Sequence, residues 1–147
     1  MHRWTMTMLM ALSLATPTFA QRRPPPLLPP IASQTDLVVR AGSDTILFAP
    51  GSFDLDATAR AVLVAQARAL QTNPFIAVTL EGHGDPADTR NHALALGERR
   101  ADAVRNFLVS LGMEPARLTI VSWGKERPAG DPADHVRSRR VQVLLAR

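Results

Sequence analysis

Phe75-Ile76-Ala77-Val78-Thr79-Leu80 is a nearly continuous apolar run rich in β-formers, set between two stretches whose apolar residues recur with a helical period. A strand of this kind calls for cover on both faces, and the neighbouring helices are the obvious source. Upstream, Leu55, Ala59, Val62, Leu63 and Leu70 keep the helical repeat. Asp54 or Asp56 can cap the start of that helix, and Asn73-Pro74 stops it near Gln71. A second helix is expected from about Thr89 to Leu111, closed by Gly112.

The remaining elements are shorter. Asp36 to Arg40 and Thr45 to Phe48 read as two strands around the turn Ala41-Gly42-Ser43-Asp44, with Pro50-Gly51 ending the second. Arg117 to Ser122 and Arg140 to Leu145 supply the last two strands. From the second of the opening strands onward, the order β-α-β-α-β-β predicts an α/β (α+β) fold with helices packed on a mixed parallel/antiparallel sheet.

Two segments precede this unit. Residues 1–20 carry one arginine, the short apolar run Met8-Leu9-Met10-Ala11-Leu12-Ser13-Leu14-Ala15, and small residues before Ala20. That is the layout of an export signal cleaved after Ala20. No run in the chain has the roughly 20 apolar residues needed to span a bilayer, so the expectation is a mature chain without a transmembrane segment, placed in an extracytoplasmic compartment. Residues 21–35, QRRPPPLLPPIASQT, read as a proline-rich linker favouring a stiff polyproline conformation. The globular domain is expected over 36–147.

Charge and composition narrow the function. The 147 residues include no cysteine, which rules out disulfides, thiolate nucleophiles and thiolate metal sites. The net charge is +4, but Arg3, Arg22 and Arg23 lie ahead of the domain, and from Asp36 onward 14 basic residues face 13 acidic ones. Basic residues interleaved with Asp and Glu, with few aromatics, form no stripe for nucleic acid. His83, His92 and His135 with Asp85 and Asp88 have no metal-ligand spacing. There is no G-x-S-x-G elbow, and Gly82, Gly84 and Gly97 make no phosphate loop. The expectation is a non-enzymatic domain without cofactor or metal.

One charge stands out on the second helix. On a wheel of 100° per residue from Leu94, the residues Gly97, Ala101, Val104, Leu108 and Leu111 fall between about 260° and 340°. Phe107 flanks them on the low side at about 220°, so Arg100, at about 240°, falls inside the apolar arc. A buried guanidinium is costly unless acceptors pair with it. Its side chain leans back over Gly97 and Ala93 towards the loop after the central strand, which holds Asp85 and Asp88. Ligands in α/β folds collect where strands run out into helices. Two arrangements stay open: a structural Arg–Asp pair, or a cleft with one carboxylate and one guanidinium suited to a zwitterion.

The stretch Glu81 to Val104, EGHGDPADTRNHALALGERRADAV, resembles the signature of the OmpA-like peptidoglycan-binding domain family: GHxD, then Arg-Ala fifteen positions after the aspartate. Ser122-Trp123-Gly124-Lys125-Glu126-Arg127-Pro128 resembles the family's S-aromatic-G-x-x-x-P segment, Ser138-Arg139-Arg140-Val141 its closing NRRV, and Phe48 with Ser52 its opening F-x-x-x-S. Within the family the closest likeness is to the peptidoglycan-associated lipoproteins, whose lipobox cysteine this chain lacks. The chain also departs in having Ala93 for the usual asparagine, Asp88 for a glycine and Ser138 for the NRRV asparagine, with a shorter loop from Pro128 to Arg139.

The resemblance implies non-covalent binding of the peptidoglycan peptide stem in the cell envelope, in support of envelope integrity. Asp85 and Arg100 would clasp the amine and carboxylate of diaminopimelate. By the same resemblance Phe48, His83, Gly84, Thr89 and Arg139 are candidate secondary contacts. Association with the outer membrane and with other envelope proteins is implied as well. The alternative is a periplasmic protein-interaction adaptor on the same fold, its peptidoglycan site weakened by Ala93.

Overall fold

Caps encoded in the chain set where its helices begin. The computed structural model describes residues 28–131 and 133–146. The expected signal (1–20) and the linker as far as residue 27 lie outside them. Helix α1 spans Gln34–Ala41: the Ser33 side chain accepts from the N–H of Asp36, and the Asp36 carboxylate accepts from that of Ser33. This reciprocal capping box is closed at the other end by Gly42 in the left-handed conformation (φ 81°). The strand expected over Asp36–Arg40 is therefore a helix. Leu37 and Ala41 are buried one turn apart, and the cap and this burial override the β preference of Val38 and Val39.

Helix α2 spans Ala57–Gln71 and starts at Asp56, whose carboxylate accepts from Ala59 N–H at 2.7 Å. Helix α3 spans Arg90–Ser110 with Thr89 as its cap. A single turn, α4, covers His135–Ser138. The strands are β1 (Thr45–Leu47), β2 (Val78–His83), β3 (Leu118–Gly124) and β4 (Arg140–Leu145). They form one mixed sheet in the order β1-β4-β2-β3. β2 and β3 are parallel, while β4 runs antiparallel to both β1 and β2.

The sheet is covered on one face, not both. Val78 and Leu80 of β2, Val141 and Val143 of β4 and Ile46 of β1 are buried, and they cluster with Leu63 and Leu70 of α2 and Val104 and Leu108 of α3. The alternating Thr79 and Glu81 are only half-buried, the burial pattern of a strand with one covered face. The apolar run also enters the sheet later than expected: Phe75 is 94% exposed, and β2 begins at Val78. The end of the expected linker belongs to the domain. Ile31 is fully buried, its N–H donates to Thr72 Oγ1 at 2.9 Å, and its carbonyl accepts from Asn73 Nδ2 at 3.0 Å.

Two glycines let α3 lie directly on β2. A Cβ placed on Gly82 would stand 1.9 Å from the carbonyl oxygen of Gly97, and one on Gly97 would stand 2.5 Å from Ser122 Oγ and 3.0 Å from the Gly82 oxygen. Neither backbone can retreat without pulling the helix off the sheet. Gly82→Ala is expected to cost about 3 kcal/mol or more in urea unfolding. Gly97→Ala provides a check of sign: helix propensity alone favours alanine by about 1 kcal/mol, yet here it should destabilise. A gain in stability would show that the contact has slack.

Candidate binding site

The loop leaving β2 delivers Asp85, and Arg100, midway along α3, reaches the same end of the sheet. Arg100 is fully buried, as its place in the apolar arc predicted. Its guanidinium is satisfied by backbone: Nε donates to Ser52 O at 2.8 Å, Nη1 to His83 O at 2.9 Å and Nη2 to Ala49 O at 3.2 Å. It also lies over the ring of Phe48, 5.4 Å from the centroid, in the geometry of a cation–π contact. Burial, and then the neighbouring charge of Arg139, pull its pKa down to about 10, against the opposing pull of Asp88 and Asp85. It remains charged at neutral pH. A guanidinium has five N–H donors, and among the described residues no carboxylate accepts from this one.

Asp85 pairs elsewhere. Its Oδ1 lies 2.5 Å from His135 Nδ1 and also accepts from Ala87 N–H at 2.9 Å, while Oδ2 accepts from Arg139 Nη1 at 3.1 Å. Burial alone would raise the carboxyl's pKa, but the Ala87 N–H, His135 and Arg139 together hold it down at about 2. Of the two arrangements left open by the sequence, a direct Arg100–Asp85 pair is not formed. The two groups are instead held separately, close enough for the charge of Asp85 to act on Arg100.

The other candidate residues divide. Arg139 is drawn in fully: it is 8% exposed and bridges Asp85 and the carbonyl of Phe48, with Nε to O at 3.2 Å. Phe48 is buried beneath Arg100. His83 contributes its carbonyl, not its ring. The ring is 1% exposed, and burial followed by the charge of Arg140 lowers its pKa to about 4, so it is neutral. Gly84 passes its N–H to Gly124 O at 2.7 Å and is backed by Ala93, whose Cβ would lie 2.7 Å from an added one. Ala93 is itself fully buried. Thr89 is exposed and serves as the cap of α3, accepting from His92 N–H at 3.3 Å.

His135 is the site residue that sequence reasoning missed. It had weight only as a candidate metal ligand, and no metal-binding group of three His, Asp or Glu side chains occurs among the described residues. The available signal was its position four residues before Arg139, which places both on the segment entering β4.

A carboxyl held below its ordinary value favours the folded state wherever the unfolded chain would bind the proton first. The contribution of Asp85 is therefore complete above about pH 4 and fades as the pH falls towards 2. Urea unfolding of wild type and Asp85→Asn over this range should show an advantage for wild type that is constant near neutrality and lost in acid. An advantage that does not change with pH would show that the carboxylate is not held.

The geometry has counterparts. The model of the OmpA family matches residues 47–142, a span that includes Asp85, Arg100 and Arg139. A peptidoglycan-associated lipoprotein from Agrobacterium fabrum is 45% identical over 116 residues, covering 77% of this chain and 65% of that protein. The chain thus spans just under two thirds of the length of this relative. Among solved structures, the peptidoglycan-associated lipoprotein from Burkholderia pseudomallei superposes with a TM-score of 0.66 at 30% identity, covering 71% of this chain and 92% of that one. The cell wall anchor of the T6SS from Pseudomonas aeruginosa gives a TM-score of 0.60 at 25% identity, covering 70% and 80%. Its matched span, its sheet and the order of its motifs agree, and the chain belongs to the OmpA family.

Proposed function

We propose that this protein is a non-catalytic module of the cell envelope that binds the peptide stem of peptidoglycan without forming a covalent bond. The observation that carries the reading is the pair of opposite charges fixed at one end of the sheet. Arg100 is a buried cation with donors to spare and no carboxylate mate, and Asp85 is an anion kept ionised far into acid. A zwitterionic side chain such as that of diaminopimelate would place its carboxylate towards Arg100 and its ammonium on Asp85. Because Arg100 is fully buried, the ligand must enter by moving the segments over it, the 49–52 loop foremost. The names of the relatives, peptidoglycan-associated lipoprotein and cell wall anchor, support the same reading.

The expected location is the periplasm, in contact with the outer membrane and with other envelope proteins. Among the described residues no helix is long and apolar enough to cross a membrane. One observation favours the adaptor alternative: His135 and Arg139 already satisfy Asp85 from within the chain, so the fold can stand without a peptidoglycan ligand.

Co-sedimentation with purified diaminopimelate-type sacculi tests the proposal. Wild type should pellet with the sacculi. Asp85→Ala and Arg100→Lys should bind roughly 10- to 100-fold more weakly, the loss expected for a charge-assisted contact. Circular dichroism melts must show both variants folded, which is why lysine is chosen at the buried position. Wild type remaining in the supernatant, or folded Asp85→Ala pelleting as well as wild type, would exclude the peptidoglycan reading.

A further inference from the structure

The two cations on Asp85 are not equally fixed. Arg139 keeps only 10% of its side chain exposed and is tied on its other side to the carbonyl of Phe48. His135 keeps 45% of its side chain exposed and sits on the single turn α4. Among the described residues its ring has no hydrogen-bond partner other than Asp85. A carboxylate has roughly four lone-pair sites, and the Ala87 N–H, Arg139 and His135 take three of them. Only the histidine can leave without breaking a second contact.

We propose that His135 determines the affinity of this site and its pH dependence: the imidazole stands on the Asp85 oxygen that a ligand's ammonium must reach and has to swing out for it to bind. The inference rests on the reading of Asp85 as the ammonium acceptor. It adds that the chain supplies its own competitor for that place.

The sign follows from charge. A protonated imidazole offers the carboxylate a charge-assisted contact of the same kind as an ammonium, whereas a neutral ring offers only an ordinary hydrogen bond. Loss of the imidazole's proton as the pH rises therefore weakens the competitor and raises ligand affinity. The charged groups around the ring come from each neighbouring element. Asp85 and Asp88 lie on the loop after β2, and Arg139 leads into β4. Asp134 and Arg137 flank His135 and pair with each other at 3.4 Å. Helix α3 adds Arg100 and also His92, whose Nε2 is 4.0 Å from Asp88 Oδ2. His92 is the other imidazole near this loop.

Calorimetric titration of the full chain with a soluble muropeptide carrying diaminopimelate, at pH 5.5 and 7.5, separates the possibilities. Wild type should bind roughly three- to tenfold more tightly at pH 7.5. His135→Ala should bind at both values at least as tightly as wild type does at pH 7.5. Titration of the ligand or of His92 is common to both proteins and cancels in the comparison. The histidine is exposed, so the variant should fold, and circular dichroism checks this. Equal pH dependence in the two proteins, or weaker binding by His135→Ala at pH 5.5, overturns the inference while leaving the site intact. No binding by wild type at either pH, or unchanged binding by Asp85→Asn, overturns the reading of Asp85 itself and this inference with it.

Discussion

A guanidinium sealed beneath three carbonyl oxygens holds the candidate-site end of this domain together. Arg100 ties α3 to the end of β2 through His83 and to the loop before α2 through Ala49 and Ser52. These segments are far apart in sequence, and one guanidinium joins them. Backbone acceptors take three of its five donors but leave the charge uncancelled. Burial of that charge is costly, which is the physical reason to expect a site there and not mere packing.

Arg100 can occupy this place because α3 lies so low on the sheet. The contact of Gly82 with Gly97 brings helix and strand backbones together, so the arginine three residues beyond Gly97 meets the end of β2 instead of passing over it. Arg139, just ahead of β4, then enters as a second cation, and its charge contributes to the lowered pKa of Arg100. The site therefore holds two arginines, a histidine and the ionised Asp85, with Asp88 beside them. Asp85 both favours the native loop and, through its contacts with His135 and Arg139, links that loop to the segment entering β4.

Much of the fold was legible in local patterns. The helical wheel that isolated Arg100 also identified the buried face of α3, with Ala101, Val104 and Leu108 fully buried. The two long helices stand where the periodicity placed them, and four of the five expected strands form the mixed sheet. The misread helix α1 carried its own signal, since Ser33, Asp36 and Gly42 are a capping box and a C-terminal glycine that outweighed two valines. The one-sided cover of β2 was also written in the polar Thr79 and Glu81, although the apolar residues ahead of them dominated the reading.

The partners of the charges were another matter. His135 and Arg139 stand 50 and 54 residues from Asp85, and no local rule pairs groups at such separations. A hydrogen bond is made or lost over a few tenths of an ångström, a distance that only the packed sheet and the path of the loops can set. The sequence by itself determined where the two long helices would run, which face of α3 would be apolar, and that one arginine would be buried there. The tertiary structure alone decided that this arginine would be held by carbonyls and Asp85 by a histidine and a second arginine, because those contacts exist only once β2, α3 and β4 meet.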